Sequence, residues 1–195
     1  MIPDNWQPGA LLQLETTRFT LGSMLREDVS DEFINWMADP DVMVGLNMNR
    51  RRLSRIQAVR FVLGFDNHRR FCVGVKDKVT KGLIGFFILD CDLIQQTAET
   101  SVVIGAKEYW GKNVVMETRS CLLDFLFIQM DMVKVFGRPH GRNFSSIYNY
   151  KALGFVCEAV LRQHMKAIKG EQRLDQLVFG ILKPEWQKKQ QELME

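Results

Sequence analysis

Between residues 71 and 130 the apolar side chains change period once, and that switch restricts the chain more than any other feature. Residues 71–75, 83–89 and about 99–105 are short runs rich in Val, Ile and Phe, the first two parted by Lys81-Gly82, and they read as strands. From Val114 the apolar positions fall at 115, about 119, 122, 123, 126, 127 and 130, which predicts a buried helix of roughly four turns. Strands followed by a buried helix of that length call for a sheet on which the helix packs.

The flanking segments complete the order. Residues 18–25 read as a strand, and Val29, Phe33, Trp36 and Met37 mark one face of a helix that Asp39-Pro40 stops. Residues 41–53 read as a loop. Ser54 and Gln57 then form a capping box that opens a helix over about 55–63, with Gly64 at its exit. Residues 132–137 give another strand. Asn143 opens a short helix and Gly154 closes it, and strands over about 155–161 and 173–182 flank a turn at Lys169-Gly170. The succession β-α-α-β-β-β-α-β-α-β-β predicts one α/β domain over residues 14–183, with a mixed, mostly antiparallel sheet. Residues 1–13 read as an irregular lead-in, and 184–195 as a polar tail whose helix adds little to the core.

The chain has 195 residues, enough for one self-sufficient core, and its 46% hydrophobic and 25% charged residues exclude a disordered chain. Lys and Arg number 26 against 23 Asp and Glu, and a net charge of +3 does not demand nucleic acid or membrane. Cys72, Cys91, Cys121 and Cys157 are widely spaced among apolar neighbours, and His68, His140 and His164 lie far from them. Buried free thiols are expected rather than a metal site or disulfides. With no apolar run of spanning length and no signal-like start, the expected location is the cytoplasm.

Two segments could carry chemistry. Tyr109-Trp110-Gly111-Lys112-Asn113-Val114-Val115-Met116-Glu117 joins a strand to the long helix. A tight loop feeding a helix N-terminus gathers backbone N–H groups and partial positive charge, which suits a pyrophosphate. Asn113 is an expected N-cap and Lys112 sets a cation beside it, although many such loops bind nothing. The second segment runs from Arg142 to Phe155. There Asn143 caps a helix, and Ile147, Tyr150 and Leu153 recur at near-helical spacing, so locally Tyr150 reads as a core aromatic. Trp36, Phe61 and Phe65 read as core sooner than as an acceptor pocket.

Taken together the two segments resemble the GNAT superfamily of N-acetyltransferases. The loop resembles the family's Q/R-x-x-G-x-G/A signature for acetyl-CoA, and Asn143 to Phe155 its N-x-x-S-x-x-x-Y-x-x-L-G-F run. Residues 14–21, the helix ending Trp36-Met37-Ala38-Asp39-Pro40, and Ala98-Glu99 through Lys112 look like the branch that acetylates ribosomal-protein N-termini. The resemblance implies a V-shaped cleft between the fourth and fifth strands that takes acetyl-CoA as co-substrate, with no metal. It places pantetheine near Val102, Val103 and Ile104, and pyrophosphate on Trp110, Gly111, Lys112, Asn113, Val114 and Val115. Asn143 and Ser146 would face the cofactor, and Tyr150 would stand near its sulfur. The chain departs from the pattern at Trp110, Asn113 and Val115; the branched Val115 is expected to crowd the phosphates. Arg138 occupies the place where some relatives carry a Glu general base.

The function implied is acetyl transfer from acetyl-CoA to a primary amine, foremost a protein N-terminal α-amine. A small amine such as a polyamine or antibiotic is the alternative acceptor, and a non-catalytic module with weakened CoA affinity the alternative role. Tyr150 is the expected general acid, Glu99 and His140 are candidate bases, and a fourth-strand backbone N–H is the expected oxyanion donor. Arg50, Arg51, Arg52, Arg55 and Arg60 read as a solvated face or as a contact for the ribosome or another acidic surface. A second copy of the chain is a further candidate partner.

Overall fold

The computed structural model describes residues 6–194. Its strands are β1 (Gln13–Glu15), β2 (Phe19–Ser23), β3 (Arg70–Asp77), β4 (Leu83–Asp92), β5 (Thr97–Ile104), β6 (Lys134–Gly137), β7 (Val156–Lys166) and β8 (Arg173–Leu182). They form one sheet in the order β1-β2-β3-β4-β5-β6-β8-β7. Every pairing is antiparallel except β5 with β6. This is the mixed α/β sheet expected, with β1 as an additional strand, so the expected fourth and fifth strands are β5 and β6.

Helices cover both faces. The helices α1 (Asp31–Ala38), α2 (Pro40–Gly45) and α3 (Arg55–Val62) close one apolar cluster, which includes Phe33, Trp36, Val62, Phe86 and Val103. The helices α4 (Val114–Asp124), α5 (Phe144–Ala152) and α6 (Lys183–Met194) close the other, around Phe87, Leu89, Leu122, Phe125, Tyr150 and Phe179. Alternation along β4 explains the division: Phe86 faces one cluster and Phe87 the other. The expected long helix is α4 continued by a π turn, Phe125–Gln129. The Ser54–Gln57 capping box opens α3 as expected, with both reciprocal bonds formed.

Several expectations are corrected. The segment after Pro40 is helical, because Asp39 ends α1 and also caps α2, accepting from the Asp41 N–H at 2.8 Å, while Pro40 fills a position that needs no donor. The lead-in is partly structural. Leu12 is buried and its N–H donates to Ser23 Oγ at 2.8 Å; residues 1–5 of that segment lie outside the described residues. The tail joins the core, since Trp186 on α6 is only 2% exposed and its indole N–H donates to Asp124 at 2.8 Å. Of the four thiols only Cys72 and Cys91 are buried, and burial pushes both up to about 12; Cys121 is half-buried and Cys157 exposed.

Candidate functional site

β5 and β6 pair only over Thr97–Lys134, Ala98–Val135 and Glu99–Phe136, and then part. Tyr150 fills the apex of the resulting V. Its hydroxyl donates to the Thr100 carbonyl at 3.0 Å, and its ring packs against Phe155 and stacks on Phe179. Gly137 makes the room, because a Cβ there would overlap the Tyr150 hydroxyl. Beyond the apex the edge of β5 that faces the V has no partner strand among the described residues. The Thr100 carbonyl faces the V, and so does that of Ile104, which accepts from the Trp110 indole N–H at 2.8 Å. A strand's period of two therefore turns the Val102 N–H and C=O into the V as well, and the Val103 backbone toward Phe86 of β4. Of the three expected pantetheine positions, Val102 alone offers an uncommitted donor and acceptor along this edge.

The loop before α4 turns through two left-handed residues, Gly111 at φ +73° and Asn113 at φ +57°. Asn113 thus serves by its backbone; the expected side-chain cap does not form. Successive turns of this kind, ahead of the unpaired N–H groups that begin a helix, make a concavity for an anion. Two ties hold it. The Arg18 guanidinium donates to the Lys112 carbonyl at 3.0 Å and pairs with Glu117 of α4 at 2.7 Å. Burial pushes the Glu117 carboxyl up, but bonds from Thr16 and Arg18 outweigh it and hold the group below the usual carboxylate range. On the other flank Lys107 bridges Asp39 at 2.8 Å and Asp41 at 2.6 Å, fixing α2 against the loop. Val114 is buried, and Val115 is half-buried with its side chain packed against the core.

The third wall is the start of α5. The Asn143 side chain accepts from the Ser146 N–H at 3.0 Å and donates to the Gly45 carbonyl at 2.6 Å, joining α5 to the end of α2. Together these walls enclose a cavity of about 700 Å³, within the size range of small-molecule sites. Val102, Val103, Ile104, Trp110, Gly111, Asn113, Val114, Val115, Asn143 and Ser146 all line it; Lys112 does not. α2 lines it too, through Asp41, Val42 and Gly45, as does Leu46 just after it. The reading of 41–53 as loop missed that wall, although Asp39 before Pro40 carries an N-cap signature.

None of the three acid–base candidates lines this cavity. Glu99 is bound on both oxygens by Arg138, Nε to Oε1 at 2.9 Å and Nη2 to Oε2 at 2.5 Å. That pairing pushes Arg138 above the usual arginine range. His140 is 7% exposed, with Nδ1 accepting from the Arg142 N–H at 3.3 Å and Nε2 at 3.0 Å from the Gly45 carbonyl. Those bonds assign the ring proton to Nε2 and commit both nitrogens. Tyr150 is 3% exposed and lies beneath the apex. The carboxylate on the cavity wall is Asp41, which Lys107 already holds. Among the described residues no group of three His, Cys, Asp or Glu converges as metal ligands, and no helix is long and apolar enough to cross a membrane.

The sequence matches the family model of the acetyltransferase (GNAT) domain over residues 18–156. An uncharacterized N-acetyltransferase p20 from Bacillus licheniformis is 29% identical over 180 residues, which are 89% of this chain and 97% of the relative. A GNAT-family acetyltransferase from Bacillus anthracis superposes with a TM-score of 0.76 at 17% identity, covering 89% of this chain and 100% of that one. Spermidine N-acetyltransferase from Vibrio cholerae, solved with CoA and spermine, gives 0.76 at 21% identity over 87% of this chain and 98% of its own. The ribosomal-protein-S5-alanine acetyltransferase of Vibrio fischeri gives 0.75 at 16% identity, covering 90% and 98%. At such identities the structural likeness is one of fold.

Proposed function

The chain belongs to the GNAT family of acetyltransferases, and from that premise we propose that it acetylates the α-amine at a protein N-terminus. The observation that carries this reading is that the carboxylate on the cavity wall and the candidate bases outside it are all already bonded. Asp41 is paired with Lys107, Glu99 with Arg138, and both His140 nitrogens are bonded. An acceptor served by so few bases must give up its proton to solvent with little help. A peptide α-amine ionises near about 8, whereas a lysine-like amine ionises near about 10.4 and carries its proton at pH 7. The α-amine is therefore the acceptor that needs the least help.

The cavity fits acetyl-CoA by its own features: an unpaired strand edge at Val102 for an amide-bearing arm, and the left-handed turns before α4 for a pyrophosphate. Bound acetyl-CoA supplies an acetyl carbonyl activated as a thioester. The Val102 N–H is the oxyanion donor in this reading, positioned by β4 and costing no reorganisation. Tyr150 gives its hydroxyl proton to the departing thiolate and recovers one from solvent, while the acceptor nitrogen loses its proton to solvent. The same reading sets the protein in the cytoplasm and gives the exposed Arg50, Arg51, Arg52 and Arg55 the task of meeting an acidic or ribosomal surface.

The test is acetylation by the purified protein of a peptide beginning with Ala or Ser, with spermidine run alongside and products located by mass spectrometry. Acetyl on the peptide α-amine is the expected result. Acetylation of spermidine alone overturns the acceptor, and no turnover with calorimetric binding of acetyl-CoA makes the protein a binding module.

A further inference from the structure

Arg119 is the least expected side chain in the core. The apolar period of α4 passes through its position, and it is 1% exposed. Its guanidinium carbon lies 4.4 Å from the Tyr150 ring centroid and 5.6 Å from that of Phe87. Nε and Nη1 have no hydrogen-bond partner among the described residues, and the buried Thr100 hydroxyl, beside the carbonyl that Tyr150 bonds, has none either. Arginine keeps its charge in proteins, and an isolated buried charge is costly. Burial pulls its pKa below the usual range, and Tyr150 draws it back up.

Packing does not account for the residue. Around it α4 buries Val114, Thr118, Leu122 and Leu123, and a Met or Leu would fill the same space without stranding a cation. What distinguishes the position is the ring above which the cation sits. We propose that Arg119 is a positioning residue for Tyr150, holding the ring at the apex of the V and favouring the negative charge its oxygen takes on as the proton leaves. The inference rests on the reading of Tyr150 as proton donor. In that step the C–S electron pair passes to sulfur, sulfur takes the Tyr150 proton, and the phenolate regains a proton from solvent. A guanidinium against the ring face opposes the charge cost of that phenolate, whose ring otherwise packs on the apolar Phe155 and Phe179.

The experiment compares Arg119→Met, Arg119→Lys, Tyr150→Phe and the Met/Phe double variant by kcat, KM for acetyl-CoA and Tm, with the Ala-starting peptide as acceptor. Arg119→Met should lower kcat roughly 10- to 100-fold, part of what a proton donor contributes. KM should hold, and Tm should stay level or rise because a stranded charge is gone. Arg119→Lys should restore part of kcat, and the Met change should add little to the loss in Tyr150→Phe. If the Met variant does not fold, the neutral, polar Arg119→Gln takes its place. A wild-type kcat in Arg119→Met beside an impaired Tyr150→Phe overturns this inference alone. Full activity of Tyr150→Phe overturns the proton-donor reading, and this inference with it.

Discussion

The Tyr150 hydroxyl donates to the Thr100 carbonyl at 3.0 Å, across the point where β5 and β6 part. One bond thus closes the apex of the V and holds the mechanism's proposed acid there. Tyr150→Phe should lower turnover by about 10²–10⁴-fold while acetyl-CoA affinity holds. Stability should fall by only about 1 kcal/mol, the net worth of one hydrogen bond. Rapid-quench turnover and calorimetry on the same preparation check this; wild-type turnover would make Tyr150 structural.

Gly137 gives an independent handle on the same atom. Because a Cβ there overlaps the hydroxyl, Gly137→Ala should displace the phenol and cost roughly 1–3 kcal/mol of overpacking. Activity should fall with it, in contrast to Tyr150→Phe, where the fold is spared. Paired melting curves and turnover distinguish the two.

Val115 lines the cavity, where it is expected to crowd the phosphates, yet it is also half-buried and packed against the core, and we propose that this packing keeps its methyl groups off the ligand. Val115→Ala should then leave the Kd for acetyl-CoA within about threefold and cost about 1 kcal/mol of packing, as partial removal of a half-buried side chain does. Tightening by tenfold in a calorimetric titration would restore the crowding argument.

Glu117 ties α4 to Arg18, and its folded-state pKa is depressed, net of burial, by Thr16 and Arg18. Its contribution is therefore complete above the unfolded value of about 4.3 and is lost as pH falls through the lower folded value. Glu117→Gln should lower Tm at pH 7 by an amount equivalent to about 1 kcal/mol or less, since the pair is partly exposed. Below about pH 4 the two melting temperatures should converge. A difference that does not shrink as the pH falls would mean the loss is one of packing.

What the sequence disclosed follows from the range of the interactions involved. The strands, α4 and the Ser54–Gln57 box rest on periods and on contacts three residues apart, so they were legible. Gly154, at φ +88° behind α5, was legible because few residues tolerate that backbone. α2 escaped notice because six residues are too few to show a period, and Trp186 because an apolar residue flanked by polar ones along a helix shows none. Asn113 suits either an N-cap or a left-handed turn, and the three-dimensional loop decides between them. Least legible were the partners of the site. Glu99 meets Arg138, and Asn143 meets Gly45, across distances in the chain that no local pattern spans. The committed state of Glu99 and His140, on which the acceptor argument turns, belongs wholly to the fold.

The most direct test of the account is the pH dependence of single-turnover acetylation with saturating acetyl-CoA and two acceptors, an Ala-starting peptide and spermidine. The peptide rate should climb to a plateau above about pH 8, tracking the α-amine itself, and the spermidine rate at pH 7 should be lower by at least about tenfold. A spermidine rate equal to the peptide's at pH 7 would contradict it. So would a pH dependence of the peptide rate that is abolished in Glu99→Gln or His140→Gln, because either result shows a protein base at work.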